Sequence, residues 1–364
     1  MKFNKKLIVV LMVSFLFSYH GLKAFNQKEN KNEIYWHKYW QNMLTKYPVP
    51  ENAIELEKKF SFPSEALEKK GNYLVKPRYI GHDSSGNIFV TDIGADRILK
   101  FDSSGNFLQT FGQRGQGPGD LSRPYEFFVT KDDILIVGEL GNMRFQFFTT
   151  QGKYVKNFKI FKGYLSWAMN DEGLIFAVAS LTLVKNPEKA HLIEVLSQEG
   201  EVLYSFGKPI NFKYRPHIYN RANLAINKKG EVLVAFEYLP IVRKYSQKGK
   251  LLAEYRIDHK LMKKFEKNNL QNQSLLARGK KALNYPIIFS IKAYEDEFYI
   301  FRRYPRVEIL EFDNNGKLRA WYWYNPQDRN YLPNQFLVRN VKNQKMFYIM
   351  VDYEARIDVF GQKQ

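Results

Sequence analysis

The sequence predicts an all-β fold: a six-bladed β-propeller of four-stranded antiparallel blades, closed by an N-terminal strand. Three observations carry that prediction. A unit of about 47 residues recurs, each copy holds four short apolar runs, and the sixth copy stops after three while a matching run stands near the other end of the chain. Aromatic side chains, with 29 Phe and 24 Tyr, suit pleated half-buried surfaces, so composition favours sheet as well. A length of 364 residues is compatible with one all-β domain.

Taken in order, the chain opens with Lys2, Lys5 and Lys6 ahead of an apolar run from Leu7 to Phe17, and a small residue follows at Ala24. That order reads as a secretory signal peptide over residues 1–24, and the run is shorter than the roughly 20 residues a membrane span needs. Leu22 stands where a small residue is preferred, so an uncleaved anchor is the competing reading. Export places the working protein in a periplasm or outside the cell, with no transmembrane segment after signal removal. Residues 25–53 form an aromatic arm. Trp36, Trp40 and Met43 fall at near-helical spacing, which predicts a short helix packed on the ring, with a sugar-stacking or docking patch as the other reading.

Ile54 to Phe62 alternates at Ile54, Leu56, Phe60 and Phe62, with a polar lapse at Lys58. It is the expected closing strand, because a strand borrowed from the far end removes an exposed edge. The first full copy then runs Gly86-Asn87-Ile88-Phe89-Val90-Thr91-Asp92, Arg97 to Asp102, and Asn106 to Gly112, with Asp-Ser-Ser-Gly at both turns. The second turn glycine recurs at Gly105, Gly152, Gly200 and Gly249, stepping by 47, 48 and 49. The third copy carries about eight extra residues within Leu181 to Ala190. The step to Gly316 is 67, which places an insertion at 258–284 with one or two amphipathic helices. Apolar runs before each first turn, such as Tyr125 to Val129 and Ile287 to Ile291, complete four strands per unit.

Residues Gly86 to Tyr125 resemble the NHL-repeat family in Gly86 to Asp92, Asp96-Arg97-Ile98, Phe101-Asp102 to Gly105 and Gly115 to Pro124. The second copy keeps Asn142-Met143-Arg144; later copies keep the spacing but not the signature. The resemblance covers about 90 residues in detail and implies a six-bladed ring. It implies no single function, because such rings host lyases, lactonases, RNA binders and scaffolds.

The loops between second and third strands hold the most informative polar pattern. Asp92 precedes Arg97, Glu139 precedes Arg144 and Asp352 precedes Arg356, while the fifth copy gives Arg302-Arg303-Tyr304-Pro305-Arg306 with no acid. In one reading each acid bridges its own Arg. In the other, Arg97, Arg144, Arg303, Arg306 and Arg356 ring the axial mouth, joined by Arg114, Arg123 and Trp167 from the crossings between blades. Planar guanidinium forks suit carboxylate or phosphate.

No cofactor, metal site or catalytic residue is expected. The six His have no metal-binding spacing, no nucleophile elbow or P-loop occurs, and the absence of Cys excludes disulfides and thiolate chemistry. A convergent acid set from Asp92, Glu139, Glu237 and Asp352 would be needed for calcium. The net charge of +19 favours anionic partners, or serves solubility alone. The expected function is therefore an exported, monomeric, non-catalytic binding or scaffold propeller. Its partner is a protein or an anionic carbohydrate, since export disfavours nucleic acid. A hydrolase or lyase acting on an anionic sugar or lactone is the alternative.

Overall fold

A computed structural model describes residues 42–69, 71–179, 181, 190–326 and 331–363. The chain divides into two units, Met1–Pro48 and Val49–Gln364. In the first, residues 42–46 are helical; the signal peptide, Trp36 and Trp40 lie outside the described residues, as does most of Leu181 to Ala190.

The second unit begins with β1 (Ile54–Phe62) and a short α1 (Glu65–Lys69). Blade 1 comprises β2 (Pro77–His82), β3 (Ile88–Asp92), β4 (Arg97–Phe101) and β5 (Phe107–Phe111); blade 2 comprises β6 (Pro124–Val129), β7 (Ile134–Glu139), β8 (Arg144–Thr149) and β9 (Tyr154–Lys159). Blade 3 follows with β10 (Trp167–Met169), β11 (Ile175–Val178), β12 (Ile193–Leu196) and β13 (Val202–Phe206). After α2 (Pro216–Tyr219), blade 4 runs β14 (Ala222–Ile226), β15 (Val232–Phe236), β16 (Ile241–Tyr245) and β17 (Leu251–Arg256). The insertion contains one helix, α3 (Lys260–Ala277). Blade 5 is β18 (Ser290–Tyr294), β19 (Glu297–Arg302), β20 (Val307–Asp313) and β21 (Leu318–Tyr324), and blade 6 is β22 (Pro333–Val341), β23 (Gln344–Val351) and β24 (Arg356–Gln362).

Each blade pairs its strands antiparallel in chain order. First strands contact one another around the ring, and β22 returns to β2, so the ring is closed. β1 supplies the missing fourth strand of blade 6, with Leu56 opposite Gln362 and Phe62 opposite Ile357. It also pairs in parallel with β21, which joins blades 5 and 6 into one eight-stranded sheet. The polar lapse at Lys58 has a structural cause: the register shifts between Lys58 and Phe60, a bulge that leaves the Lys58 side chain outside the core.

Middle strands such as β3 and β15 are buried throughout, because neighbouring blades cover both faces. Outer strands alternate, as in β5 and β9. The apolar clusters lie between consecutive blades: Phe89, Leu121 and Phe148 join blades 1 and 2, and Phe62, Leu99 and Val359 join blades 6 and 1. The recurring turn glycine has a packing role. A Cβ on Gly105 would meet Phe62 Cβ at 2.7 Å, and one on Gly152 would meet Phe111 Cγ at 2.8 Å, both from the preceding blade's outer strand. Gly200, Gly249 and Gly316 meet Phe158, Phe206 and Tyr255 in the same way. The repeat read in the sequence is thus a latch between blades.

Candidate functional site

Loops between second and third strands and crossings between blades emerge on one side of the ring, called the mouth here. At the mouth, three first strands open with proline: Pro77, Pro124 and Pro333. Proline has no N–H for the ladder and is tolerated at a strand's first residue. The register slips immediately after each, between Pro77 and Tyr79, Pro124 and Phe127, and Pro333 and Gln335. Bulges re-aim side chains. The residues released here are Arg78, Tyr125 with Glu126, and Asn334.

Arg78 donates to the Tyr125 hydroxyl and lies 4.1 Å from the centroid of its ring. Burial lowers its pKa, opposed by the carboxylates of Asp352, Glu126 and Glu237 and abetted by the positive charge of Arg221. Those groups come from blades 2, 4 and 6, so they converge on the axis. Arg221 faces Glu237 through Nε at 3.1 Å and Nη2 at 3.3 Å. Tyr238 stands near Arg221 and Arg303; burial first, then Glu237, pushes its hydroxyl up to about 12. Arg303 lies 4.2 Å over Phe289, and its Nη1 donates to the Pro333 carbonyl at 3.3 Å. Beside it, Asn334 is 9% exposed, and neither its Oδ1 nor its Nδ2 has a hydrogen-bond partner. Arg303 Nε and Asn223 Nδ2 are buried without partners too. Buried polar atoms are ordinarily paired, so these mark capacity for a ligand or water.

One residue further along β2, Tyr79 meets Lys292 from blade 5. Lys292 Nζ donates to Tyr79 Oη at 2.6 Å and sits 3.8 Å from its ring centroid. Glu126 accepts the Trp167 N–H at 2.9 Å. Burial raises Glu126 to about 7 against the pull of Lys292, and burial lowers Lys292 to about 8 against the pull of Glu126. Two surface hollows lie elsewhere, along Lys263 and Leu270 of α3 and beside Tyr204 and Gln247 at the rim.

The residues singled out in the sequence take other places. Arg97 reaches Asp92 at 3.3 Å and the Tyr73 carbonyl at 2.5 Å. Arg144 is buried on Glu139 at 2.6 Å and donates to the carbonyls of Gln116, Gly117 and Asp120. Asp92 and Glu139 also accept backbone N–H groups of the crossing that enters their blade, from Lys76 and Ser122 at 2.7 Å. Arg306 is buried against Glu308 at 2.8 Å, and Arg356 pairs with Asp358 at 2.8 Å and with Glu354. The expected pairing of Arg356 with Asp352 is corrected by these contacts: the acid two positions along the strand is nearer to hand than the one across the loop. Arg114 is 89% exposed with Asp96 at 3.8 Å, and Arg123 is exposed with its backbone N–H on Asp96 at 2.6 Å. Trp167 is 2% exposed, its ring edge-on to Phe145 at 4.6 Å. Of the predicted residues, Arg303 and the acids Glu237 and Asp352 belong to the axial constellation. Arg78, Arg221, Lys292, Glu126 and Asn334 went unnoticed. Their one sequence signal is a proline or charged residue opening an apolar run.

Blade 5 holds a second buried network. Glu308 accepts from Arg302, from Arg306 and from His259 Nε2 at 3.1 Å. Burial pushes the Glu308 carboxyl up, but Arg302, His259 and Arg306 outweigh it and hold it at about 2. His259 Nδ1 accepts the N–H groups of Leu261 and Met262, capping α3. Burial and then Arg302 lower the His259 pKa, so the ring is neutral in the cap.

Among the described residues, no group of three or more His, Asp or Glu is placed to hold a metal ion, and no helix is long and apolar enough to cross a membrane. Fold and site together define a six-bladed β-propeller with a charged axial constellation. The chain belongs to the family DUF5128, described as a 6-bladed beta-propeller, which matches residues 51–304. No curated protein matches the sequence significantly. Among solved structures, a DUF4221 family member from Bacteroides vulgatus is similar over 86% of this chain and 99% of its own, with 13% identity and a TM-score of 0.59. A Bacteroides fragilis protein described as exported is similar over 87% and 97%, at 12% identity and a TM-score of 0.55. A streptogramin B lyase is similar over 85% and 97%, at 13% identity and a TM-score of 0.51. At such identities the likeness is one of fold.

Proposed function

We propose that this chain is an exported, non-catalytic binding propeller whose mouth takes a small anionic ligand, an acidic sugar in the first instance. Arg78, Arg221 and Arg303 supply the positive charge, and Asn334 supplies an amide for a hydroxyl. The observation that carries the reading is the set of buried atoms without partners, Arg303 Nε and both amide atoms of Asn334, beside converging guanidinium groups. The signal-like N-terminus supports export. Calorimetric titration with glucuronate and with glucose tests the reading. Glucuronate should bind and glucose should not, and Arg303→Gln or Asn334→Ala should weaken binding by about tenfold or more, the loss of a charge-assisted or buried hydrogen bond. Equal binding of both sugars, or of neither, would reject it.

A catalytic reading has one observation in its favour: Glu126, raised toward neutral pH, stands near Lys292, lowered toward it. Hydrolysis of a sugar lactone that vanishes in Glu126→Gln while the fold survives would favour it over simple binding.

A further inference from the structure

The two sides of the ring present different surfaces. Among the described residues, the loops and crossings of the mouth side carry fourteen exposed Lys and Arg against three exposed Asp and Glu, whereas the turns of the opposite side carry eight against seven. The apolar side chains divide the same way. Phe161 is fully exposed, Tyr353 is 67% exposed and Leu283 is 62% exposed; these are the most exposed large apolar side chains described, and all three lie on the mouth side. Tyr73 and Val75, in the crossing into blade 1, and Leu165, beside Phe161, are exposed there too. The remaining exposed apolar residues sit on outer strands or on α3, and none occupies a turn of the opposite side.

These side chains are spread around the ring, not gathered in one groove: Phe161 between blades 2 and 3, Leu283 between blades 4 and 5, Tyr353 in blade 6. Cations flank two of them, with Lys162, paired to Glu194, next to Phe161, and Lys280 and Lys281 shortly before Leu283, whereas Tyr353 stands between Asp352 and Glu354. Apolar tips held among Lys and Arg across one broad side fit a flat, negatively charged, partly apolar surface. We infer that the mouth side docks on an anionic phospholipid bilayer, with Phe161, Leu283 and Tyr353 entering the headgroup boundary and the flanking cations meeting lipid phosphates. This goes beyond the axial ligand and does not rest on it.

Hydrogen exchange of the full chain, read with phosphatidylcholine vesicles and with vesicles containing roughly one-third phosphatidylglycerol, tests the inference. The apolar run Leu7 to Phe17 could hold the chain on lipid by itself, so the position of protection decides, not sedimentation. Segments 160–165, 280–284 and 352–355 should gain protection with anionic vesicles only, and the turns at 130–133 and 248–250 should not change. The surface variant Phe161→Ser, Leu283→Ser, Tyr353→Ser should lose that protection and need about tenfold more anionic lipid for half-maximal effect, while unfolding as the parent does. Binding that leaves the mouth loops unprotected, protection on the opposite turns, equal protection by neutral vesicles, or an unaffected variant would each overturn it. So would mouth loops protected only by a protein partner.

Discussion

At the scale of single residues, the buried ions decide what the molecule tolerates. Glu308 is the carboxylate shared by Arg302 and Arg306 where all three are buried. Glu308→Ala should lower stability by about 3–5 kcal/mol in urea unfolding, because it leaves uncompensated buried cations. The pH dependence follows with a definite sign. Glu308 has a folded pKa of about 2, below its ordinary 4.5, so its contribution is complete above 4.5 and fades as pH falls toward 2. His259 also titrates below its ordinary 6.5, so the unfolded chain takes up that proton first and stability falls as pH drops beneath 6.5. Urea midpoints measured down the acid range should therefore decline through both windows, and Glu308→Gln should flatten the lower one. A proton on His259 Nδ1 would also displace the two N–H groups it accepts, loosening the first turn of α3. None of this was legible in the sequence. Arg302 read as a further loop cation and Arg306 as a member of the axial ring, and the acid that holds both lies in the next strand.

At the scale of elements, the repeat was legible because turn chemistry and packing coincide in one residue type. Gly152 has φ of 82° and lies against Phe111, so a side chain is opposed both by backbone conformation and by the neighbouring blade. Gly152→Ala should cost about 2–4 kcal/mol, the sum of a left-handed backbone penalty and overpacking, read as a lower urea midpoint. The strand closing the ring was equally readable from alternation, and even its polar lapse marked a real bulge at Lys58–Phe60. Phe62 is 2% exposed and packs 5.0 Å from Phe101. Phe62→Ala should cost about 3–5 kcal/mol by the same measurement. A helical insertion was legible, with its helix count left open at one or two. One helix forms, and the segment after Gly279 has no regular structure, its backbone held instead by Asn269 at Tyr285 and by Asn272 at Leu283. The axial residues were invisible for a different reason. Bulges after Pro77, Pro124 and Pro333 break the two-residue period on which any inside-or-outside reading depends.

At the scale of the whole molecule, β1 ties blades 5 and 6 into one sheet. A chain lacking residues 1–62 should lose its single sharp calorimetric transition, since blade 6 would then present an open edge and blade 5 would lose its link to it. The strands at that junction bring the limits of the propeller side by side: the Lys363 N–H donates to the Glu55 carbonyl at 3.0 Å, and the Lys363 ammonium pairs with the Glu55 carboxylate at 2.7 Å. A few added residues would bridge that gap. The ring can then be cut elsewhere, for instance at the exposed turn after Gln247, and rethreaded as a permuted chain with its architecture intact. A reporter domain fused beyond residue 363 would, by the same adjacency, occupy the neighbourhood of one grafted ahead of residue 54.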